Sequence, residues 1–265
     1  MQMKDTRVRV LGMSPSFLLV VLFASTFLVT LFYSKRSEFH PETTISLFQD
    51  PIITFDDGLF PLNQPVDVNI GTNDSPFASQ KGRHRILVDP LFPICEGNSK
   101  LLEKVTAFCM AISDFTGFAS FKEYNDRGLS SSLAEVSEGT SHERFQIVSQ
   151  RTVLVLEARR FFGAIRERGG EIIRLKLDMQ GYELTTLLNI KHLLRQNFIR
   201  HIKAECFCPI EDKQIYQVNN DCRDVAALLQ GTGYTTKFDC SPPLDSTDVY
   251  AYKSPAVDFC GEWGD

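Results

Sequence analysis

The chain has no run of lysine or arginine longer than two residues, no G-x-G-x-x-G after a strand, no paired C-x-x-C and one tryptophan in 265 residues. The first absence, joined to a formal net charge of −5, argues against nucleic acid as a partner, because a phosphate backbone needs a concentrated positive surface. The second sets aside a nicotinamide-dependent oxidoreductase, whose pyrophosphate site is built on those glycines. The third, with the tight Cys206-Phe207-Cys208 spacing, does not fit a zinc knuckle, so no metal site is expected. Internal repeats and low-complexity tracts are also missing. Wholesale disorder is not indicated, since hydrophobic residues make up 43% and charged residues 23% of the chain.

The N-terminus holds the one long apolar run. Phe17 to Tyr33 contains no charge, and only Ser25, Thr26 and Thr30 interrupt it. Extended back through Ser14 it reaches about 30 Å as a helix, enough for a thin bilayer. The competing reading is a cleaved signal peptide with Lys4, Arg7 and Arg9 as its basic region. The run is longer than the usual signal core, and no small-x-small site lies just beyond it, which favours an uncleaved anchor. The expected layout is a cytoplasmic tail at 1–15, a transmembrane anchor at 16–34, a stem at 35–60 and one globular domain at 61–265. Lys35 and Arg36 follow the run, so the positive-inside bias is weak. It tilts toward a lumenal domain in a Golgi or other secretory-pathway membrane. Five of the seven cysteines fall between Cys206 and Cys260, where one or two disulfides would staple the C-terminal part. Cys95 and Cys109 read as small buried apolar residues.

From Pro65 onward β-rich runs alternate with helical patterns. The runs are 66–70, 85–88, 105–112, 152–156, 172–177, 202–207, 234–238 and 249–252. Helices are expected over Ala158–Arg168, stopped by Gly169-Gly170, over Glu183–Leu194, and over Cys222–Leu229 behind Asp221 as N-cap. This alternation predicts an α/β fold with a mostly parallel sheet and helices on its faces. Gly117–Tyr124 reads as an extra strand, and the polar stretch after it, 125–142, as a long loop suited to a lid or substrate contact.

In such a sheet ligands bind beyond the carboxyl ends of the strands. The first strand runs into Asn69-Ile70-Gly71-Thr72-Asn73, and a glycine there would let a cofactor approach the backbone closely. The second ends at Asp89-Pro90, eighteen residues after Gly71. A carboxylate at that distance is placed to accept from a pair of ribose hydroxyls, although an Asp-Pro turn explains it equally well. Asp114 closes a third run, where it would meet the exocyclic amine of an adenine or merely open a turn. The sharpest signal is Leu175-Lys176-Leu177-Asp178-Met179-Gln180-Gly181-Tyr182-Glu183, a strand that delivers an acid to its end, then a turn glycine, then a helix.

That last segment resembles the "LKiDvEGaElevL" signature of FkbM-type methyltransferases. The stretches VNIGTND, ILVDP and AISDFTGFASF resemble the family's glycine motif, second-strand acid and following segment. The resemblance spans roughly residues 63–253. It implies the class I methyltransferase sheet, Rossmann-like with seven strands, the last antiparallel, and helices on both faces. It also implies methyl transfer from S-adenosylmethionine to a hydroxyl of a glycan or other small acceptor. On this resemblance Asn69, Gly71, Asn73, Asp89 and Asp114 would bind the cofactor and Asp178 would be the catalytic base or orienting acid. Glu205, at another strand end, and His142, beside Glu143 in the loop, are candidates for substrate contact. A lone loop histidine is more often simply solvated. The chain departs from the pattern where Asn69 replaces an acid, Ser75 a second glycine and Gln180 a glutamate. The alternative expectation is therefore a weakened enzyme, used for binding or as a scaffold. A lumenal enzyme would need imported S-adenosylmethionine, which keeps a cytosolic domain as the alternative placement.

Overall fold

The computed structural model describes residues 60–61, 63–72, 83–101, 104–125, 132–136, 146–208, 216–241 and 246–253. The expected tail and anchor lie outside them, as does the expected stem except for its last residue, Phe60, which is buried against Phe108 and Phe161 and so belongs to the domain core. Among the described residues no helix is long and apolar enough to cross a membrane.

Among the described residues ten strands and five helices follow in chain order: β1 Pro65–Ile70, β2 His84–Val88, α1 Phe92–Leu101, β3 Val105–Phe108, β4 Ala111–Ser113, β5 Gly117–Tyr124, β6 Ile147–Glu157, α2 Ala158–Glu167, β7 Glu171–Leu177, α3 Glu183–Asn189, α4 Lys191–Arg195, β8 Ile199–Phe207, α5 Cys222–Gln230, β9 Thr235–Lys237 and β10 Ser246–Tyr252. Seven strands form one sheet in the order β3-β2-β1-β7-β8-β10-β9. Its first five are parallel, and β10 runs antiparallel to both neighbours. The order reverses between β1 and β7, so a crevice opens at their carboxyl ends. A second sheet of order β4-β6-β5 stands beside it.

Strand alternation sorts the main sheet into two unlike faces. Ile86, Val68, Leu175, Ile202 and Ala251 are register partners across five strands, all buried, and form one apolar row. Val88, Ile70, Leu177, Ala204 and Val249 form the next. The alternate residues face the other way and are mostly polar: Arg85, Asp67, Arg174, His201 and Tyr252 share one register row, and Leu87, Asn69, Lys176, Lys203 and Tyr250 the next. A mostly parallel sheet is usually apolar on both faces. Here the buried charges are paired instead, with Asp67 2.5 Å from Arg174 and 3.1 Å from Arg83.

Three expectations change. The run 105–112 is two strands, because the chain leaves the large sheet at Phe108 and enters the small one at Ala111. Cys95 and Cys109 are bonded to each other, their Cα atoms 5.4 Å apart, tying α1 to the link between those strands. The helix expected over Glu183–Leu194 breaks at Ile190 into α3 and α4. The C-terminal staples are Cys206–Cys222 and Cys208–Cys240. Asp221 caps α5, its side chain accepting from the Arg223 amide.

Candidate active site

The backbone ladder continues one residue beyond three neighbouring strands. Gly71 donates to Val88 O (2.9 Å), Asp89 to Phe108 O (3.0 Å) and Asp178 to Ile70 O (3.0 Å). This brings Gly71, Asp89 and Asp178 to one edge, and Glu205 near the end of β8 joins them around a cavity of about 230 Å³. One wall is apolar, with Leu91, Ile94, Met110, Ile112, Phe121 and Leu133. The other presents Asp89, Asp178 and Glu205, and among the described residues no lysine or arginine lines it.

The reason for glycine at 71 differs from the one expected. Its φ is +75°, and a Cβ there would fall 1.7 Å from the carbonyl oxygen of Asp178. The neighbouring backbone, rather than a ligand, fills the space a side chain would take. Asp89 is likewise built into the fold. Oδ2 accepts from the Thr72 amide (3.0 Å) and hydroxyl (3.2 Å), and Oδ1 from the Leu91 amide (2.9 Å). The carboxylate thus locks the β1 turn to the β2 turn while facing the cavity.

Asp178 is held from both sides. Lys176 Nζ lies 3.2 Å from Oδ2, and Gln180 Nε2 donates to Oδ1 at 2.9 Å. The same amide nitrogen donates to Glu205 Oε2 at 2.6 Å, so Gln180 bridges the two acids. Gln180 adopts φ +53°, in the region that L side chains occupy at a cost of about 1–2 kcal/mol. Partners from distant segments hold it there: Ser132 Oγ donates to its carbonyl (2.8 Å) and the Tyr216 hydroxyl to its Oε1 (3.2 Å). Burial, and then the nearby Asp178, push the Glu205 carboxyl well above its usual range. Glu205 therefore retains a proton more readily than a solvated carboxylate does.

No family model matches this chain, and no curated protein matches it.

Of the residues singled out from sequence, Gly71, Asp89, Asp178 and Glu205 converge on the cavity. Asn69 does not line it. It is fully buried one residue short of the strand end, and among the described residues neither amide atom of its side chain has a hydrogen-bond partner. Asp114 is exposed and outside the lining, which removes the expected adenine contact from the described cavity. Its charge is close enough to reinforce burial in raising the Tyr182 phenol. Asn73 and His142 lie outside the described residues. Sequence reasoning missed Glu183, Asn220, Ser132 and Tyr216. Glu183 left a trace as the acid of a helix's first turn just past a glycine, and Ser132 as part of the 125–142 loop; the contacts of Ser132, Asn220 and Tyr216 span 36–48 residues. Among the described residues, Cys208, Cys222 and Cys240 alone group their sulfurs within 4.8 Å, and each is in a disulfide.

Proposed function

We propose that the chain is an S-adenosylmethionine-dependent methyltransferase of the FkbM type, acting on a hydroxyl of a glycan or other small acceptor. The observation that carries the reading is the convergence of Gly71, Asp89, Asp178 and Glu205 on one cavity at the point where the strand order reverses. The resemblance assigns its motifs to this sheet edge, and the antiparallel β10 between β8 and β9 fits the class I methyltransferase arrangement. The donor fits the residues present: the apolar wall suits an adenine, and the acidic wall suits a sulfonium and a methionine ammonium.

When bound, S-adenosylmethionine would supply an electrophilic methyl group for in-line displacement by an oxygen. The chain's own residues then have three tasks. Leu91, Met110 and Phe121 shield part of the cavity from water, which strengthens every polar interaction inside it. Gln180 fixes the separation of the two acids. Asp178, supported by Glu205, orients the acceptor hydroxyl and takes its proton. A membrane anchor at 16–34 and a lumenal placement belong to the same proposal.

A second reading, a methyltransferase-like binding protein with weakened turnover, draws on Asn69. Its place in the resemblance belongs to an acid, and here the side chain is neutral, buried and without a hydrogen-bond partner among the described residues. The test is transfer of labelled methyl from S-adenosylmethionine to a panel of hydroxylated acceptors, glycans included. Transfer abolished by Asp178→Asn supports the enzyme. Donor binding with no transfer to any acceptor supports the weakened form.

A further inference from the structure

Glu183 opens α3, is fully buried, and points back into the turn that carries Asp178 and Gln180. One carboxylate oxygen accepts from the Met179 amide, and the other accepts from the Gly181 amide at 2.9 Å. Asn220 adds a third donor, Nδ2 to the same oxygen as Gly181, at 2.7 Å. Asn220 Oδ1 meanwhile accepts from the Leu184 amide at 3.1 Å, and its Nδ2 also donates to the Glu205 carbonyl at 3.1 Å. The pair therefore fastens four pieces together: the turn, the start of α3, the end of β8 and the segment leading into α5.

We propose that Glu183, seconded by Asn220, is the positioning residue that sets the shape of the 178–182 turn and with it the placement of Asp178 and Gln180. This deepens the methyltransferase reading, on which its consequence for cofactor binding rests. The argument is one of donors and acceptors. Residues 180 and 181 both have positive φ, +53° and +111°, so the turn presents its Met179 and Gly181 amides to a single point. Two converging N–H groups, joined by an amide side chain, need an acceptor with two oxygens and negative charge. A glutamine would offer one oxygen and turn an N–H₂ toward the remaining donors.

The ionised form is the one that accepts all three bonds. Burial, partly offset by the bonds from Met179 and Gly181, raises the Glu183 carboxyl from 4.5 to about 7. The charged groups facing it are Asp178 on the turn, which adds to the rise, and Glu205 on β8. The segment before α5 contributes the neutral Asn220. Because the carboxyl titrates higher in the closed turn than it would in solvent, opening the turn costs least when the group is ionised, so the closed turn is held less firmly as pH rises through about 7.

Hydrogen exchange of the 178–184 segment in the full-length chain, corrected for intrinsic rates and followed by mass spectrometry from pH 8 to pH 5.5, tests this without any ligand. Wild type should gain protection on acidification, beyond the change in intrinsic rate, and lose it as pH rises through about 7. Glu183→Gln should exchange about tenfold or more faster at pH 8, and its protection should no longer depend on pH. Equal exchange in both proteins at pH 8, or an unchanged pH dependence in the variant, overturns the proposal. Should Glu183→Gln lose its circular dichroism, Asn220→Ala decides. Removing one donor should move the loss of protection to higher pH, and an unmoved midpoint overturns the proposal. Affinity for S-adenosylhomocysteine is to follow the same pH profile. Wild type that binds none defeats the methyltransferase reading and leaves the exchange result to judge the brace.

Discussion

Gly71→Ala separates the two reasons a glycine can stand beside a ligand cavity. With φ at +75°, alanine incurs about 1–2 kcal/mol for the left-handed backbone alone. Its Cβ would then sit 1.7 Å from Asp178 O and 2.6 Å from Asp178 C. Backbone cannot rotate aside as a flexible side chain can, so the ends of β1 and β7 must separate. That strains the 3.0 Å bond from Asp178 N to Ile70 O, and overpacking of this kind adds about 1–3 kcal/mol. The sum, roughly 2–5 kcal/mol, is a large part of the 5–15 kcal/mol typical of a domain. Urea denaturation without any ligand should show a midpoint lowered by about 1 M or more, given slopes of roughly 1–3 kcal/mol per M. Gly163→Ala is the control. A Cβ on that residue of α2 meets nothing within 4 Å, and the change should be neutral or stabilise by up to about 1 kcal/mol. A Gly71→Ala protein within about 0.5 kcal/mol of wild type would refute the reasoning and return this glycine to the role of admitting a ligand.

Asp67→Ala should destabilise by about 3–5 kcal/mol, because it strands Arg174, 1% exposed, without its carboxylate 2.5 Å away. Asp67→Leu with Arg174→Met should recover much of that loss, read by the same urea midpoints. Stability should also depend on pH in an unusual sense. The folded Glu183 carboxyl titrates at about 7 against 4.5 ordinarily, so the folded state keeps a proton that the unfolded chain releases. Its contribution is complete below about 4.5 and is lost as pH rises through about 7, by at most about 3 kcal/mol. Glu205, also raised, acts in the same direction. Thermal midpoints should therefore fall between pH 5 and pH 7.5, and Glu183→Gln should flatten part of that fall; a rise over the same interval contradicts the assignment.

The strand ends were legible because β1, β2 and β7 end on Ile70, Val88 and Leu177 and each apolar run is then broken, by Gly71, Asp89 and Asp178. Asp178 was legible for a stronger reason: acid, turn glycine and helix follow in fixed order. What escaped was long-range. Nothing near Tyr216 or Asn220 announces that they reach Gln180 and Glu183, since those contacts depend on how the chain returns past α3. The Cys95–Cys109 bond escaped because both residues sit in apolar stretches, where a small buried thiol is the simpler reading. The run 105–112 looked like one strand because periodicity does not record a change of sheet. Gly71 shows a subtler gap: its place was readable, but its cause lies in the backbone of a residue 107 positions later.

The central claim is that the cavity between Asp89 and Asp178 holds an S-adenosyl donor. Calorimetric titration of S-adenosylhomocysteine into the full-length chain, with S-adenosylmethionine as competitor, tests it most directly. The account predicts saturable one-to-one binding in the micromolar range, displaced by the competitor and weakened by Asp89→Asn. A folded sample that binds neither compound contradicts it.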